Sequence, residues 1–236
     1  MRSALRRLCL ATAVALIAGC AEVSLVDPLR QGPFFTPVNH AGEPSLSGLR
    51  RVVLLPVCGG ELASEETVAS FDPAFVAALQ RENRFEIVTL TREECLRKFR
   101  LAEISSVAAL PHNFLKTLHE EFAADAVLFV DLTVFSGYRP LAIGLRGKLA
   151  AIDGSRLVWT FDNVFTADDP AVANSARRYY QGNDRGGVPA DVTRGILQSP
   201  ARFAGYAAAA MFATLPPVVA PVTPPRKPLS FHWVRR

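Results

Sequence analysis

The chain has 236 residues and a formal net charge of +4, from 26 lysines and arginines against 22 aspartates and glutamates. Three of the arginines lie within residues 1–19, which contain no acidic residue, so residues 20–236 hold 23 basic side chains against 22 acidic ones. This near-neutral balance is not typical of a nucleic-acid-binding protein, which needs a clustered basic face, and no nucleic-acid partner is expected.

Residues 1–19 are predicted to be an export signal. A start rich in arginine is followed by an apolar run at residues 8–18, which is shorter than the roughly 20 residues that a membrane-spanning helix needs. The run ends in Ile17-Ala-Gly-Cys20, which resembles the bacterial lipobox. We therefore expect Cys20 to be acylated and to become the mature N-terminus, anchoring the protein to a membrane. An ordinary secretory signal with a chance cysteine is the alternative.

The residue after Cys20 bears on localisation. Aspartate at this position usually retains a Gram-negative lipoprotein in the inner membrane, whereas this chain has Ala21. The sequence thus resembles that of an outer-membrane lipoprotein facing the periplasm.

Two segments with little periodicity flank a region of domain size. Residues 20–50 are predicted to be a flexible tether, and residues 216–236 a proline-rich extended tail. Residues 51–215 are predicted to form one domain.

The first half of this domain alternates strands and helices. A buried strand is predicted at residues 51–57 because the run is apolar and rich in β-branched side chains. A helix follows with Phe71, Phe75 and Leu79 on one face, and Asp72 is expected to be its N-cap.

A second strand is predicted at residues 85–90. Thr91 and Glu94 then form a capping-box pattern, which predicts a short helix to about Arg100. A further helix is predicted at residues 111–123.

The second half is predicted to be a meander followed by two helices. Three strands with alternating apolar faces are expected at residues 126–135, 141–151 and 157–165. The Asp153-Gly154 pair predicts a hairpin turn between the last two. Two helices are expected at residues 170–180 and 200–214. The fold class is therefore a single three-layer-like α/β domain with a mixed sheet: βα, βαα, an antiparallel βββ meander and two C-terminal helices.

Several short motifs in this order resemble a known family. They are residues 52–56 with the strand at 85–88, the Ala124-Asp-Ala-Val-Leu128 step and the Leu149-to-Trp159 hairpin. Together they resemble the envelope lipoprotein superfamily that includes the curli secretion lipoprotein CsgG, the penicillin-binding-protein activator LpoB and the N-terminal domain of TolB. The resemblance implies a non-enzymatic module that binds proteins. A CsgG-like pore is not expected, because Asp131, Arg146 and Lys148 stand at strand centres on the outward face.

No catalytic residue, metal ligand or cofactor site is predicted. Gly59-Gly60 lacks the rest of a phosphate-binding motif, and His112 and His119 are two helical turns apart without the second histidine of a zinc motif. Tyr179-Tyr180, beside Arg177-Arg178, is interpreted as a helix-end pair rather than a partner contact.

Two cysteines remain once the signal is removed and Cys20 is acylated. Cys58 and Cys95 would lie in a compartment that permits disulfides, so they are a candidate pair. Two buried free thiols are the alternative.

The leading functional hypothesis is an anchored accessory or assembly factor that binds an envelope protein. An oligomerising subunit of an envelope secretion or transport assembly is the alternative, and an enzyme is the third. Neither the partner nor the oligomeric state follows from the sequence.

Overall fold

The computed structural model describes residues 32–183 and 195–218. The predictions for the signal, Cys20 and most of the C-terminal tail lie outside these residues. Six strands form one sheet: β1 His40–Gly42, β2 Arg51–Leu54, β3 Glu86–Thr89, β4 Ala126–Ser136, β5 Ala142–Ala151 and β6 Leu157–Thr166. The helices are α1 Glu65–Ala69, α2 Asp72–Glu82, α3 Arg92–Phe99, α4 Phe114–Phe122, α5 Pro170–Asn183 and α6 Pro200–Phe212.

The sheet is mixed, as the sequence predicted. Its strand order is β1-β6-β5-β4-β2-β3. Strands β2, β3 and β4 run parallel to one another, whereas β4, β5, β6 and β1 pair antiparallel. The chain moves from β2 to β3 on one side and then crosses to β4 on the other side. Strand β3 therefore lies at an edge of the sheet.

Helices cover both faces of the parallel half, which confirms the α/β domain. Val52 and Leu54 of β2 pack into a core with α2 and α6, while Val53 and Leu55, the residue that follows the strand, pack into a second core with α3 and α4. This follows from the alternation of side chains along a strand, and it explains why the run at residues 51–57 is apolar without a break.

Local sequence signals explain how several helices begin. Thr91 and Glu94 form the predicted capping box at α3, and Ser199 accepts the Arg202 N–H at the start of α6. The expected role of Asp72 is wrong: the N-cap of α2 is Phe71, and Asp72 lies in the first turn. The reason is that the Asp72 carboxylate accepts the Val57 N–H at 2.9 Å instead of capping its own helix.

The described part of the predicted tether packs against the domain. Strand β1 pairs with β6, the Phe35 N–H donates to Ala171 O at 3.2 Å, and Leu46 is only 1% exposed. We call residues 32–42 the N-terminal strap. The tail also begins on the domain, because the Leu46 N–H donates to Pro217 O at 3.0 Å. The folded region thus starts before residue 51 and extends past residue 215.

The outward face of the meander is polar, but not all of its side chains are exposed to solvent. Arg146 pairs with Asp162 at 3.0 Å, as expected for a solvated face. Asp131, however, is buried, and its carboxylate accepts the Ser106 N–H from the loop after α3 at 3.0 Å. Lys148 holds the same loop through Ser106 O. No helix among the described residues is long and apolar enough to cross a membrane.

Candidate binding crevice beside strand β3

A crevice of about 560 Å³ opens where strands β2 and β3 end. Strand β2 leads to α2 on one face of the sheet, and β3 leads directly to α3 on the other face. The two connections diverge at this point and leave a gap between them. The crevice lies outside the carboxyl ends of two parallel strands, as ligand sites in open α/β sheets do, although the strand order of this sheet reverses between β2 and β4.

The crevice has mostly apolar walls and a polar rim. Leu54 and Phe75, both buried, contribute to the wall, and Val76 and Ala77 line the side formed by α2. The polar groups that also border the crevice are those of Asp72, Gln80, Thr89, Thr91, Arg92 and Glu93. Apolar walls with a few polar groups are typical of sites that accept an apolar side chain or a small ligand.

Arg92 joins the loops around the crevice. Its guanidinium donates to Asp72 Oδ2 at 2.8 Å, to Glu103 Oε2 at 3.0 Å and to Val57 O at 2.6 Å. A second bond runs to Asp72 Oδ1 at 3.2 Å, and the side chain is 14% exposed. Most of the donors of Arg92 are therefore used within the protein. We infer that Arg92 positions the crevice walls and is not an anion receptor.

Glu103 closes the turn after strand β2. Its Oε1 accepts the N–H groups of Gly59 at 3.2 Å and Gly60 at 2.9 Å, and the Cys58 thiol donates to the same oxygen at 3.4 Å. Burial alone would raise the pKa of Glu103, but the hydrogen bonds from Gly60 and Arg92 outweigh it and hold this pKa below its usual value.

The Gly59-Gly60 turn is therefore occupied by a carboxylate from the chain itself. A Cβ at Gly59 would lie 2.3 Å from Val68 Cγ2, and Gly60 has a φ of +54°. The first glycine allows close packing and the second adopts a left-handed conformation. These roles support a tight strand exit, as the sequence indicated, rather than a phosphate loop.

Both remaining cysteines are free thiols in this structure. Burial, with a smaller effect of the Glu103 and Asp131 charges, raises the pKa of Cys58 to about 12. Burial likewise raises the pKa of Cys95 to about 12. Neither thiol is activated as a nucleophile, since the thiolate is the reactive form. Formation of a Cys58–Cys95 disulfide in the exported protein stays a prediction.

The structure does not bring the histidines of the helix region into a site. His119 Nδ1 lies 3.1 Å from Ala124 O, and the His112 side chain is exposed. Across residues 32–183 and 195–218, no group of three or more histidine, cysteine, aspartate or glutamate side chains is arranged to hold a metal ion.

Strand β3 has an unpaired outer edge beside the crevice. The Glu86 N–H donates to Arg50 O and the Leu90 N–H to Leu54 O, so residues 86, 88 and 90 direct their backbone groups towards β2. Successive residues of a strand direct these groups to opposite sides. The backbone groups of Ile87 and Thr89 therefore face outward, and no described segment of the chain pairs with them.

No sequence pattern predicted this site as a whole. The capping-box pattern located Arg92 at the start of a helix, but nothing marked it as a link between three segments. Glu103 lies in no periodic pattern, and the backbone donors that it binds are 43 and 44 residues away in the chain.

Tyr179 and Tyr180 lie in the last part of α5, and both are half-buried. Arg81 of α2 donates to the Tyr179 hydroxyl, and the Tyr180 hydroxyl donates to Arg202 O at 2.6 Å. The pair thus links α5 to α2 and α6, which supports the interpretation as an internal helix-end pair.

No family model matches the chain, and no curated protein matches it. Among solved structures, the chain is similar to the PelC dodecamer protein from Paraburkholderia phytofirmans, with 11% identity, 72% of this chain and 95% of that chain covered, and a TM-score of 0.38. It is similar to lipoprotein GNA1162 from Neisseria meningitidis, with 11% identity, coverages of 62% and 93%, and a TM-score of 0.37. For the LpoB C-terminal domain from Salmonella enterica the identity is 13%, the coverages are 50% and 85%, and the TM-score is 0.33.

TolB from Acinetobacter baumannii is also among these structures, and this chain spans only 33% of its length. Structures similar to this chain thus include the lipoprotein GNA1162 and two proteins of the superfamily that its motifs resemble, LpoB and TolB. The likeness to CsgG stays a prediction. At these identities and TM-scores, the likeness says nothing about what this chain binds.

Proposed function

We propose that this protein is a non-enzymatic lipoprotein, anchored in the outer membrane through Cys20, whose periplasmic domain binds an extended segment of another envelope protein. The segment would add to the outer edge of β3 as a further strand. One of its apolar side chains would enter the crevice.

The observation that carries this proposal is the position of the crevice beside the open edge. The outward backbone groups of Ile87 and Thr89 offer hydrogen bonds to any extended chain, which supplies affinity without specifying sequence. Val76 and Ala77 form an apolar wall next to that edge, and this wall would select the side chain. Edge strands are normally protected because they recruit other chains, so an open edge beside an apolar crevice suits a binding role.

The polar groups near the crevice support binding over catalysis. Arg92, Asp72 and Glu103 are bound to one another and to the backbone of residues 57–60. The raised pKa of Cys58 keeps its thiol protonated. A catalytic acid, base or nucleophile must be held in position facing the cleft, and Glu93, the crevice carboxylate without an ion pair in the described structure, is exposed and has no partner that positions it.

The membrane anchor and its location rest on the start of the sequence. Ile17-Ala-Gly-Cys20 supports acylation, and Ala21 supports the outer membrane over the inner one. Acyl chains on Cys20 would provide a stable attachment without a membrane-spanning segment.

Selection of binding peptides tests the proposal. The purified mature chain, made as Cys20→Ser, is presented with a displayed library of random peptides, and the selected peptides are measured against crevice and edge variants. Ala77→Trp fills the crevice, since Ala77 is exposed and lines it. Thr89→Pro removes an outward N–H without touching the bonds to β2. Both should weaken binding at least tenfold.

Matched controls separate binding from folding. Ala213→Trp places the same side chain at an exposed position at the end of α6, and Thr89→Val changes the side chain but keeps the backbone N–H. Both should bind as the parent protein does. Failure to select peptides, or peptides that bind the Ala77→Trp and Thr89→Pro variants unchanged, would contradict the proposal.

A further inference from the structure

The last described residues, 216–218, lie close to the open edge of β3. The Arg84 guanidinium donates to Pro216 O at 3.2 Å, and the Leu46 N–H donates to Pro217 O at 3.0 Å, so the chain is held on the domain at this point. Arg84 stands two residues before the first residue of β3. Residues 219–236 therefore continue from a point beside the strand whose outer backbone groups are unpaired within the described structure.

One part of residues 219–236 has the sequence pattern of a β-strand. Residues 219–228 contain four prolines, whereas residues 229–236 contain none. From the first residue of the proline-free part, apolar and polar side chains alternate: Leu229, Ser230, Phe231, His232 and Trp233. This alternation is typical of a strand with one buried face, and strand pairing needs the backbone N–H groups that proline lacks. We call residues 229–234 the tail segment.

The proline-rich residues are long enough to carry the tail segment along β3. The six residues of chain from Arg84 to Leu90, at the rim of the crevice, span roughly 20 Å when extended. The ten residues 219–228 span roughly 31 Å in the polyproline conformation typical of such a composition. A linker of this length holds the tail segment at a roughly millimolar effective concentration, so even a weak interaction is sufficient for occupancy.

The charges of the tail and of the site are complementary. Residues 219–236 contain no acidic side chain and four basic ones, Arg226, Lys227, Arg235 and Arg236. Strand β3 and the lining of the crevice together contain three acidic side chains and one basic one. Asp72 and Glu86 each have an arginine partner, and Arg81, beside the crevice, is engaged by Tyr179 of α5. Glu93 is exposed without an ion pair among the described residues, so it would attract the arginines that follow the tail segment.

We propose that the tail segment adds to the outer edge of β3 in the free protein and places an aromatic side chain, Phe231 or Trp233, in the crevice. The tail segment would then occupy the site of the partner's segment, so this inference rests on the proposed function. The tail limits the affinity of the site, and only a segment that binds more tightly displaces it. Covering an open edge in this way also protects the protein from edge-to-edge association.

Amide exchange measured by NMR tests the tail contact without any partner. In the Phe231→Ser/Trp233→Ser variant of the mature Cys20→Ser chain, the Ile87 and Thr89 N–H groups should exchange at least about threefold faster than in the parent, because the edge is free for more of the time. The Val88 N–H, which is directed towards β2, should exchange at an unchanged rate. A peptide from the display selection should bind the variant more tightly by the same factor, since the two segments exclude each other.

Val219→Ser/Val222→Ser is the matched control. It makes two apolar-to-serine changes in the same tail but outside the tail segment, so exchange and affinity should stay as in the parent. A chain that ends at Val218 keeps both contacts of the prolines with the domain and should behave as the double aromatic variant does. Equal exchange at the two outward N–H groups in the parent and in both tail variants would overturn the proposal. So would faster exchange with an unchanged peptide affinity, because the tail and the peptide would then not share the site.

Dilution identifies which tail occupies the edge. Protection by the chain's own tail does not depend on protein concentration. Protection that disappears on dilution would place the tail of a second copy on the edge and would overturn the intramolecular contact.

This inference and the proposed function fail separately. If exchange rises in the double aromatic variant but no peptide is selected, the tail contact stands and the proposed binding function is wrong. If selected peptides lose affinity for the Thr89→Pro variant while the tail variants match the parent in exchange and affinity, the binding function stands and the tail contact is wrong.

Discussion

Glu103 Oε1 accepts the Gly60 N–H at 2.9 Å, so a residue from the loop after α3 fixes the turn that follows β2. The other oxygen of the same carboxylate accepts from Arg92 at 3.0 Å. One side chain thereby connects the end of β2 to the start of α3. The crevice lies between these two segments, and its shape depends on this carboxylate.

Replacement of Glu103 by glutamine is expected to destabilise the domain by about 1–3 kcal/mol, because Arg92 loses a charged partner and the glycine N–H groups lose a charged acceptor. The pKa of Glu103 is lowered in the folded state. Its contribution is therefore complete above the unfolded pKa and is lost as pH falls through the lower folded pKa. Thermal melts of the parent and the variant should therefore differ most at about pH 7, and the difference should shrink as pH falls through the folded pKa.

Glu93→Gln is the control for this comparison. Glu93 is an exposed residue of α3 without an ion pair in the described structure, so its replacement should change the melting temperature little at neutral or acidic pH. A Glu103→Gln variant that melts with the parent at neutral pH would show that the carboxylate does not hold the turn.

Cys58 and Cys95 are expected to resist thiol reagents in the native protein. With a pKa of about 12, each thiol is almost entirely protonated at neutral pH, and the thiolate is the reactive form. Reduced native protein should be labelled by iodoacetamide much more slowly than denatured protein, as measured by mass spectrometry. Fast labelling of native Cys58 would contradict the burial seen here. The mass of the exported, unreduced protein reports separately whether the two cysteines have paired.

Leu46→Ala is expected to cost about 2–5 kcal/mol of unfolding free energy, because it leaves a cavity in the main core. Leu46 is 1% exposed and packs with residues of β2, α2 and α6. Val38→Ala is the matched control at an exposed position of the same segment and should change stability by less than about 0.5 kcal/mol. Chemical denaturation measures the unfolding free energy of both variants. If the two variants unfold alike, residues 32–50 behave as the tether that the sequence predicted.

Cys20→Ser in cells is expected to leave an unprocessed precursor that incorporates no radiolabelled palmitate, because the serine cannot form the thioether on which acylation depends. Cys9→Ser, within the signal itself, is the control and should be processed and labelled normally. Unchanged palmitate incorporation into the Cys20→Ser protein would show that the anchor lies elsewhere.

The sequence predicted the elements whose signals are local. Strands β4 to β6 followed from alternating apolar side chains, the hairpin from Asp153-Gly154 and the start of α3 from its capping box. These features depend on neighbours within a few residues, so the pattern carries most of the information.

Features that depend on distant partners could not be predicted in the same way. Strand β1 has three residues, all exposed, and exists because its backbone pairs with β6 some 120 positions later. Asp72 had a plausible local role as a cap, but Val57 and Arg92 bind its carboxylate from other segments. The crevice forms where segments distant in the chain come together. No single residue of the crevice therefore predicts it from the sequence.

Hydrogen exchange at strand β3 tests the central claim most directly. The backbone N–H groups of Ile87 and Thr89 face outward, whereas that of Val88 is directed towards β2. We predict that a saturating peptide from the display selection slows exchange at Ile87 and Thr89 and leaves the already slow exchange of Val88 unchanged, as measured by NMR. Unaltered exchange at Ile87 and Thr89 with the peptide bound would contradict strand addition at this edge.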